Sequence, residues 1–328
     1  MRKKAISADN SASPPLASGA ETFRAAAELA VPVALGVHEL YHWSHADAVA
    51  ADPVLAAKSA YLNVPFFLVR LAVYLVVWVA LARFFFSRSV SQDASGDVAL
   101  THAMERRSAP AMLLFAATVT FASVDLLMSL DPHWYSTIFG VYFFAGSVVG
   151  SLALLVVLAR ALQSSGRLAR AITVEHYHDL GKLLFAFTVF WAYIAFSQYM
   201  LMWYANIPEE TVWLLRRQSH GWQWVGLALL VGHFLLPFAV LLSRGTKRRP
   251  QLLAAVAGWV LAMHWVDMFW LVAPELHRDA VKVHGLDVTV LLALAGFAVA
   301  AWAHVMRHCA LVPERDPRLA ESLGFENA

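Results

Sequence analysis

The stretch Leu252-Leu-Ala-Ala-Val-Ala-Gly-Trp-Val-Leu-Ala-Met-His-Trp-Val-Asp-Met-Phe-Trp-Leu-Val-Ala273 decides the fold. An α-helix rises about 1.5 Å per residue, so about 20 such residues cross a hydrocarbon core of about 30 Å. The stretch meets that length almost without charge, yet it keeps Asp267 and, three residues earlier on the same helical face, His264. A carboxyl group retained in a membrane span has to face protein or water, because lipid solvates it poorly.

Outward from this segment the pattern repeats. Besides the span at 251–273, apolar segments fall at 61–83, 109–130, 138–160, 183–205, 222–243 and 286–306, and a shorter, more polar one at 23–41. The whole chain of 328 residues is 59% hydrophobic and 15% charged, with a mean hydropathy of +0.57. Soluble domains carry about a quarter charged residues, so the apolar excess calls for lipid. The reading is an all-α polytopic membrane protein of about eight transmembrane helices. Residues 1–21 read as a disordered polar tail, 22–308 as the transmembrane domain and 309–328 as a cytoplasmic tail. No apolar run follows Arg2-Lys3-Lys4, so the start does not read as a signal peptide.

Charge sets an orientation. With the N-terminus inside, only Lys58, Arg216, Arg217, Arg278 and Lys282 fall outside and Arg70 falls within a span, leaving 19 of the 25 Lys and Arg on the inner side. That asymmetry fits the positive-inside rule with both termini cytoplasmic. Trp43, Trp134, Trp203, Trp213, Trp222, Trp224 and Trp270 cluster at the outer ends and are expected to anchor at the interface. Basic runs with interleaved aromatics are missing, which argues against nucleic acid. A lone Cys309 supplies neither a disulfide nor the four thiolates of an iron–sulfur cluster, and no Cys-x-x-Cys-His attaches haem.

The buried polar residues point to chemistry. Arg70, Asp125, His264 and Asp267 all fall in the outer half of their spans, and His233 near the middle of its own. One shared pocket is the economical expectation: Asp125, His264 and Asp267 exchanging protons, Arg70 as counter-charge, as a proton path or a quinone head-group site. His38, Glu39 and His42 are expected at the outer mouth, on one helical stripe with His45; His176, His178 and Asp179 form an inner mouth, where Asp179 is placed to cap the following helix. Haem b would need facing histidines at matched depth, and His233 and His264 differ by about a turn. The His38 cluster has donors for a divalent ion but reads as a hydrogen-bonded cap, so no metal site is assigned. A secondary transporter would show helices broken at midplane, whereas Pro65 and Pro237 lie near span ends. Gly146-x-x-x-Gly150, with Ser147 and Ser151, offers a close-packing face. Val124-Asp125 with Pro132, and Val266-Asp267 with Pro274, echo each other four spans apart, as a duplicated four-helix bundle would.

Longer runs carry a resemblance. Gly36-Val-His-Glu-Leu-Tyr-His-Trp43, Tyr61-Leu-Asn-Val-Pro-Phe-Phe67, Ser129-Leu-Asp-Pro-His-Trp-Tyr-Ser-Thr137, Ile138-Phe-Gly-Val-Tyr-Phe-Phe-Ala-Gly146, His178-Asp-Leu-Gly-Lys-Leu-Leu-Phe185 and Ser197-Gln-Tyr-Met-Leu-Met-Trp-Tyr-Ala-Asn-Ile-Pro-Glu-Glu-Thr211 resemble the ActF family, membrane proteins of alternative complex III that belong to the NrfD/PsrC-like group. The resemblance spans about residues 25–310. It implies NrfD-like four-helix bundles in the bacterial inner membrane and a place in a quinol:cytochrome c oxidoreductase. The implied partners are the paralogous ActC, the haem c subunits and the iron–sulfur subunit, which hold those centres; no cofactor is covalently bound here, and menaquinone or ubiquinone is the implied small molecule. It also implies two further helices before the span at 23–41, so the N-terminal pair of family helices is expected to be missing. The alternatives are a purely structural anchor for the electron-transfer subunits and, behind it, an independent transporter.

Overall fold

A computed structural model of the chain describes residues 30–327. The expected tail over 1–21 and the first part of the span at 23–41 lie outside the described residues. No strand occurs among the described residues. Seven helices are long and apolar enough to cross a membrane: α1 (Val64–Ser95), α2 (Val98–Leu126, continued by a 3-10 turn to Leu130), α3 (Phe139–Ser164), α4 (Val174–Ala205), α6 (Trp222–Leu242), α7 (Pro250–Leu276) and α8 (Gly285–Met306). The amphipathic α5 (Pro208–Arg217) lies between α4 and α6. The chain is thus a multi-pass, all-α membrane protein, and each of the seven clear apolar segments is a helix.

The connections define two ends. The crown carries residues 41–63, 127–138, 206–221 and 277–284; the base carries 96–97, 165–173, 243–249 and the segment after α8. At 32 residues, α1 is about 48 Å long and outruns the hydrocarbon, so its polar last turns project from the base. There Gly96, at φ 69°, closes α1 and Asp97 caps α2 by accepting from the Ala99 N–H, while buried Gln92 donates to Thr101 Oγ1 at 2.6 Å. This turn sets α1 and α2 as an antiparallel hairpin.

Helix α3 is the central element, packed on α2, α4 and α7. Its Ala145, Val149, Ala153 and Val156 are wholly buried, a stripe that α4, α6 and α7 cover with Leu184, Leu241, Leu253, Ala257 and Val260. In lipid, burial of apolar surface drives helix association weakly, so close backbone approach at small residues matters more. Helix α8 contributes nothing to this core, since none of its residues is buried.

The crown is structured. Residues 30–35 are helical and the chain turns at Gly36; Val37–Leu40 is a single turn that ends where Tyr41 is extended. Tyr41 Oη–H donates to Leu126 O and Trp43 Nε1–H to Ser129 O, both at 3.1 Å, so this strap clamps the end of α2. Trp43, Trp134, Trp213 and Trp222 are buried, which corrects their expected interfacial role; Trp203 and Trp224 are two-thirds exposed. Inside the crown the Trp43 and Trp222 indoles donate to carbonyls, and Trp134 and Trp213 lie parallel at 4.5 Å, with Trp134 Nε1 buried without a partner.

One crown contact is pH-sensitive. Asp52 caps the helix Pro53–Lys58, and its carboxylate meets His133 Nε2 at 2.5 Å. The His133 hydrogen bond, then that from Val54 N–H, holds Asp52 below the ordinary carboxylate range. A carboxyl depressed in the folded state stabilises above its unfolded pKa, about 3.9, and that contribution is lost as pH falls through the folded value. Thermal melts of wild type and Asp52→Asn should therefore differ at about pH 5 and converge as pH falls below about 3.9; a difference that grows between about pH 5 and about pH 3 contradicts the assignment.

Candidate functional site

The polar residues expected to share one pocket form two separate hydrogen-bonded groups. In the first, Arg70 on α1 grips Asp125 on α2 with two bonds, Nε to Oδ2 at 2.8 Å and Nη2 to Oδ1 at 3.0 Å. Tyr74 Oη–H adds a third at 2.6 Å, Arg70 Nη1 donates to Tyr61 O, and the Tyr61 and Phe66 rings cover the guanidinium at 3.8 and 4.3 Å. Both carboxylate oxygens of Asp125 and three guanidinium nitrogens of Arg70 are engaged, while the Tyr61 hydroxyl beside them is buried without a partner. The pair is a closed structural ion pair, and Arg70 gives Asp267 no hydrogen bond.

In the second group Asp267 on α7 is wholly buried and bonded to two other helices. Tyr142 of α3 donates its hydroxyl to Oδ1, and Trp191 of α4 donates Nε1–H to Oδ2 at 3.1 Å. No cation bonds this carboxyl among the described residues. His233 stands with its ring 4.2 Å from Trp191 and 6.3 Å from His264. Both nitrogens of His233 and Nδ1 of His264 are buried without hydrogen-bond partners. The chain admits His233 through a π-helical segment, Leu229–Leu235, in the middle of α6. Such segments interrupt the regular ladder and recur at functional sites.

The two histidines are therefore neighbours, at a separation of 6.3 Å that is compatible with the turn's difference in depth read from the sequence. The π-segment shifts α6 in register, which a regular helical count does not anticipate. They do not frame a haem slot: Trp191 lies against one ring, and at Gly150 an added Cβ would stand 2.8 Å from His264 Cδ2.

Beside this group is a cavity of about 620 Å³ opening between α4, α5 and α6. Tyr142 and Trp191, the two donors to Asp267, form part of its wall, and Gln198, Arg217, Trp213 and Trp270 line it toward the crown. Gln198 Oε1 and Trp270 Nε1 are buried without partners. Unpaired groups of this kind are costly and point to a missing hydrogen-bond partner. Arg217 holds the crown end. It is 2% exposed, stacks on Trp213 at 3.6 Å, and bonds Glu275 Oε1 at 3.1 Å and the carbonyls of Trp213, Trp270 and Leu271. Burial lowers its pKa to about 10, leaving it charged at neutral pH. Arg216 links Glu275 to Asp131.

The remaining sequence candidates lie elsewhere. His38, Glu39, His42 and His45 are exposed on the crown strap, where the turn at Leu40 breaks their helical stripe; His38 meets Ser44 Oγ at 3.1 Å, and none bonds to Asp125 or Asp267. At the base Thr173, not Asp179, caps α4, with His176 Nδ1 reciprocating to the Thr173 N–H; Asp179 pairs with Lys182 at 2.6 Å. Cap position depends on where the helix begins, and α4 starts nine residues before the apolar segment at 183. His178 is buried beside these residues. Between the base and His264 lie the wholly buried Leu253, Ala257, Val260, Ala153, Leu184 and Leu241, so the inner mouth and the Asp267 group are separated by an apolar layer.

Sequence reasoning missed Tyr142, Trp191, Gln198, Glu275 and the burial of Arg217. Two signals were available. Tyr142 lies four residues before Gly146 on the small-residue face, and Gln198 is an amide within an apolar span. No family model matches the chain, and no curated protein matches it.

Two substitutions test the geometry. Asp125→Ala strands the Arg70 guanidinium and should cost about 3–5 kcal/mol, read from unfolding in detergent; a loss under 1 kcal/mol would mean that lipid or water satisfies Arg70 instead. Gly150→Ala should cost about 1–3 kcal/mol by pushing His264 off α3, whereas an unchanged melt would show that the ring moves freely.

Proposed function

We propose that this chain is a membrane component of a bacterial quinol:cytochrome c oxidoreductase of the alternative complex III type, and that its aromatic cavity holds the quinol. The carrying observation is the cavity itself: about 620 Å³, apolar along its walls, ending at unpartnered Gln198 and Trp270 and bordered by the Tyr142 hydroxyl that bonds Asp267. Ligand sites of this kind combine apolar walls with a few placed polar groups. A quinol head offers hydroxyls to the Gln198 amide and accepts from the Trp270 indole, while an isoprenoid tail suits the apolar flank. Menaquinone and ubiquinone both fit this description.

Oxidation of a quinol to a quinone releases two electrons and two protons. The electrons pass to the haem c and iron–sulfur centres of partner subunits, with the ActC-like paralogue beside this chain. This chain's share is the protons. Tyr142 is placed to relay one from the cavity to Asp267 Oδ1, and His264 and His233 lie behind as further acceptors. The apolar layer toward the base directs exchange to the crown. The cation distribution supports reading the crown as the outer face of the bacterial inner membrane, and the reading includes both termini in the cytoplasm and eight helices in NrfD-like four-helix bundles.

A second reading is a purely structural anchor for the electron-transfer subunits. Helix α8 favours it: none of its residues is buried, so its whole circumference is left to lipid or another chain.

Asp267→Asn in the assembled complex separates the two. The quinol reading expects turnover to fall at least about 100-fold, the usual share of a positioned proton acceptor, with the complex still assembled; Trp270→Phe should raise KM for quinol with a smaller change in kcat. Unchanged turnover and KM in both variants leaves only the anchor.

A further inference from the structure

The base of the molecule carries cations for which the proposed function has no use. His178 and Lys182 on α4 face Arg244, Lys247 and Arg248 in the short connection between α6 and α7, and all four of the others bear electrostatically on His178. Two carboxylates stand among them, and both are taken. Glu175 receives both terminal nitrogens of Arg248, at 2.9 and 2.5 Å, and the Asn327 N–H. Asp179 receives Lys182 at 2.6 Å.

Lys247 is left over. It is 9% exposed, with its stem laid across Gly181, where an added Cβ would stand 2.8 Å from Lys247 Cγ. Among the described residues its ammonium meets only the Phe185 ring, at 5.3 Å. Burial, and next the charge of Lys182, hold that ammonium below the ordinary lysine range. Beside it His178, 7% exposed, has a buried Nδ1 without a partner. A lysine whose stem is packed on Gly181 and whose ammonium has no carboxylate partner among the described residues, beside a buried and unanswered imidazole nitrogen and crowded by like charge, makes an anion site.

The level in the membrane selects the anion. Lys247 sits in the connection between two helices long and apolar enough to span a membrane, Trp222–Leu242 and Pro250–Leu276, five residues past the end of the first, where headgroups are expected. Leu183 and Leu242, both exposed, offer an apolar track toward the bilayer for an acyl chain. We infer that Lys247, His178 and Arg244 form a binding site for the phosphate of an anionic phospholipid headgroup at the base of α4, α6 and α7. Basic pockets between spanning helices recognise such headgroups, and each cation near the surface adds attraction. The site is independent of the quinol reading and stands if that reading fails.

The test is phosphatidylglycerol binding to the full chain in phosphatidylcholine nanodiscs, followed by native mass spectrometry. Wild type should retain phosphatidylglycerol over phosphatidylcholine. Lys247→Gln should weaken retention about five-fold, and so should Gly181→Ala, whose methyl displaces the lysine stem; melts in phosphatidylcholine alone check that each variant is folded, and if one is not, the other decides. Arg167→Gln, an exposed base residue outside the cluster, should bind as wild type does. Equal retention by wild type and the folded variants overturns the site, as does an equal loss in Arg167→Gln, which would mean general surface charge. Displacement of the lipid by millimolar inorganic phosphate would overturn the lipid assignment in favour of a free phosphate; persistence of the lipid supports it.

Discussion

Asp267, wholly buried, ties three helices together. Its two oxygens take the Tyr142 hydroxyl from α3 and the Trp191 indole from α4, while its own backbone belongs to α7. In lipid an unsatisfied carboxyl costs far more than a well-bonded one gains, so this node fixes the rotation of all three helices about their axes. The small face of α3 follows from it: Gly146 and Gly150 let His264, Trp191 and Asp267 approach the backbone. The cavity follows too, since Tyr142 and Trp191 are both its wall and the donors to the node.

Asp125 shows the other solution to the same problem. It also follows a valine and accepts from a tyrosine, but Arg70 adds a bidentate guanidinium and the pair closes on itself. A paired buried charge resists change, because removing either partner strands the other. Asp267 has two neutral donors and no bonded cation, the condition under which a carboxyl can gain and lose a proton as its surroundings change. The contrast is structural: an ion pair closes the first group, and the second leaves a buried carboxyl without a bonded cation among the described residues. It also shows why a shared pocket was the wrong expectation: depth along a span is readable from sequence, but the direction in which a side chain faces is not.

The same division runs through what the sequence disclosed. All seven clear spans were legible because 20 apolar residues have one physical explanation, and Arg70, Asp125, His264 and Asp267 stood out because charge in lipid is rare. The segments beyond the hydrocarbon were less legible. Trp43, Trp134, Trp213 and Trp222 look like interfacial anchors by position, yet the crown buries them against each other and against carbonyls. The His38–His42 stripe assumed a helix that ends at Leu40. The π-helical turn that carries His233 is announced by no periodicity. Arg217 reads as a loop cation, and only its stacking on Trp213 and its bond to Glu275 make it the end wall of the cavity.

The most direct measurement is a cryo-electron microscopy map of the assembled complex with added quinol. The account predicts a planar head-group density in the cavity between α4, α5 and α6, touching Gln198 and Trp270, with Tyr142 between it and Asp267. A cavity filled by a partner's side chain or by lipid acyl chain, with quinol density only in another subunit, would contradict it.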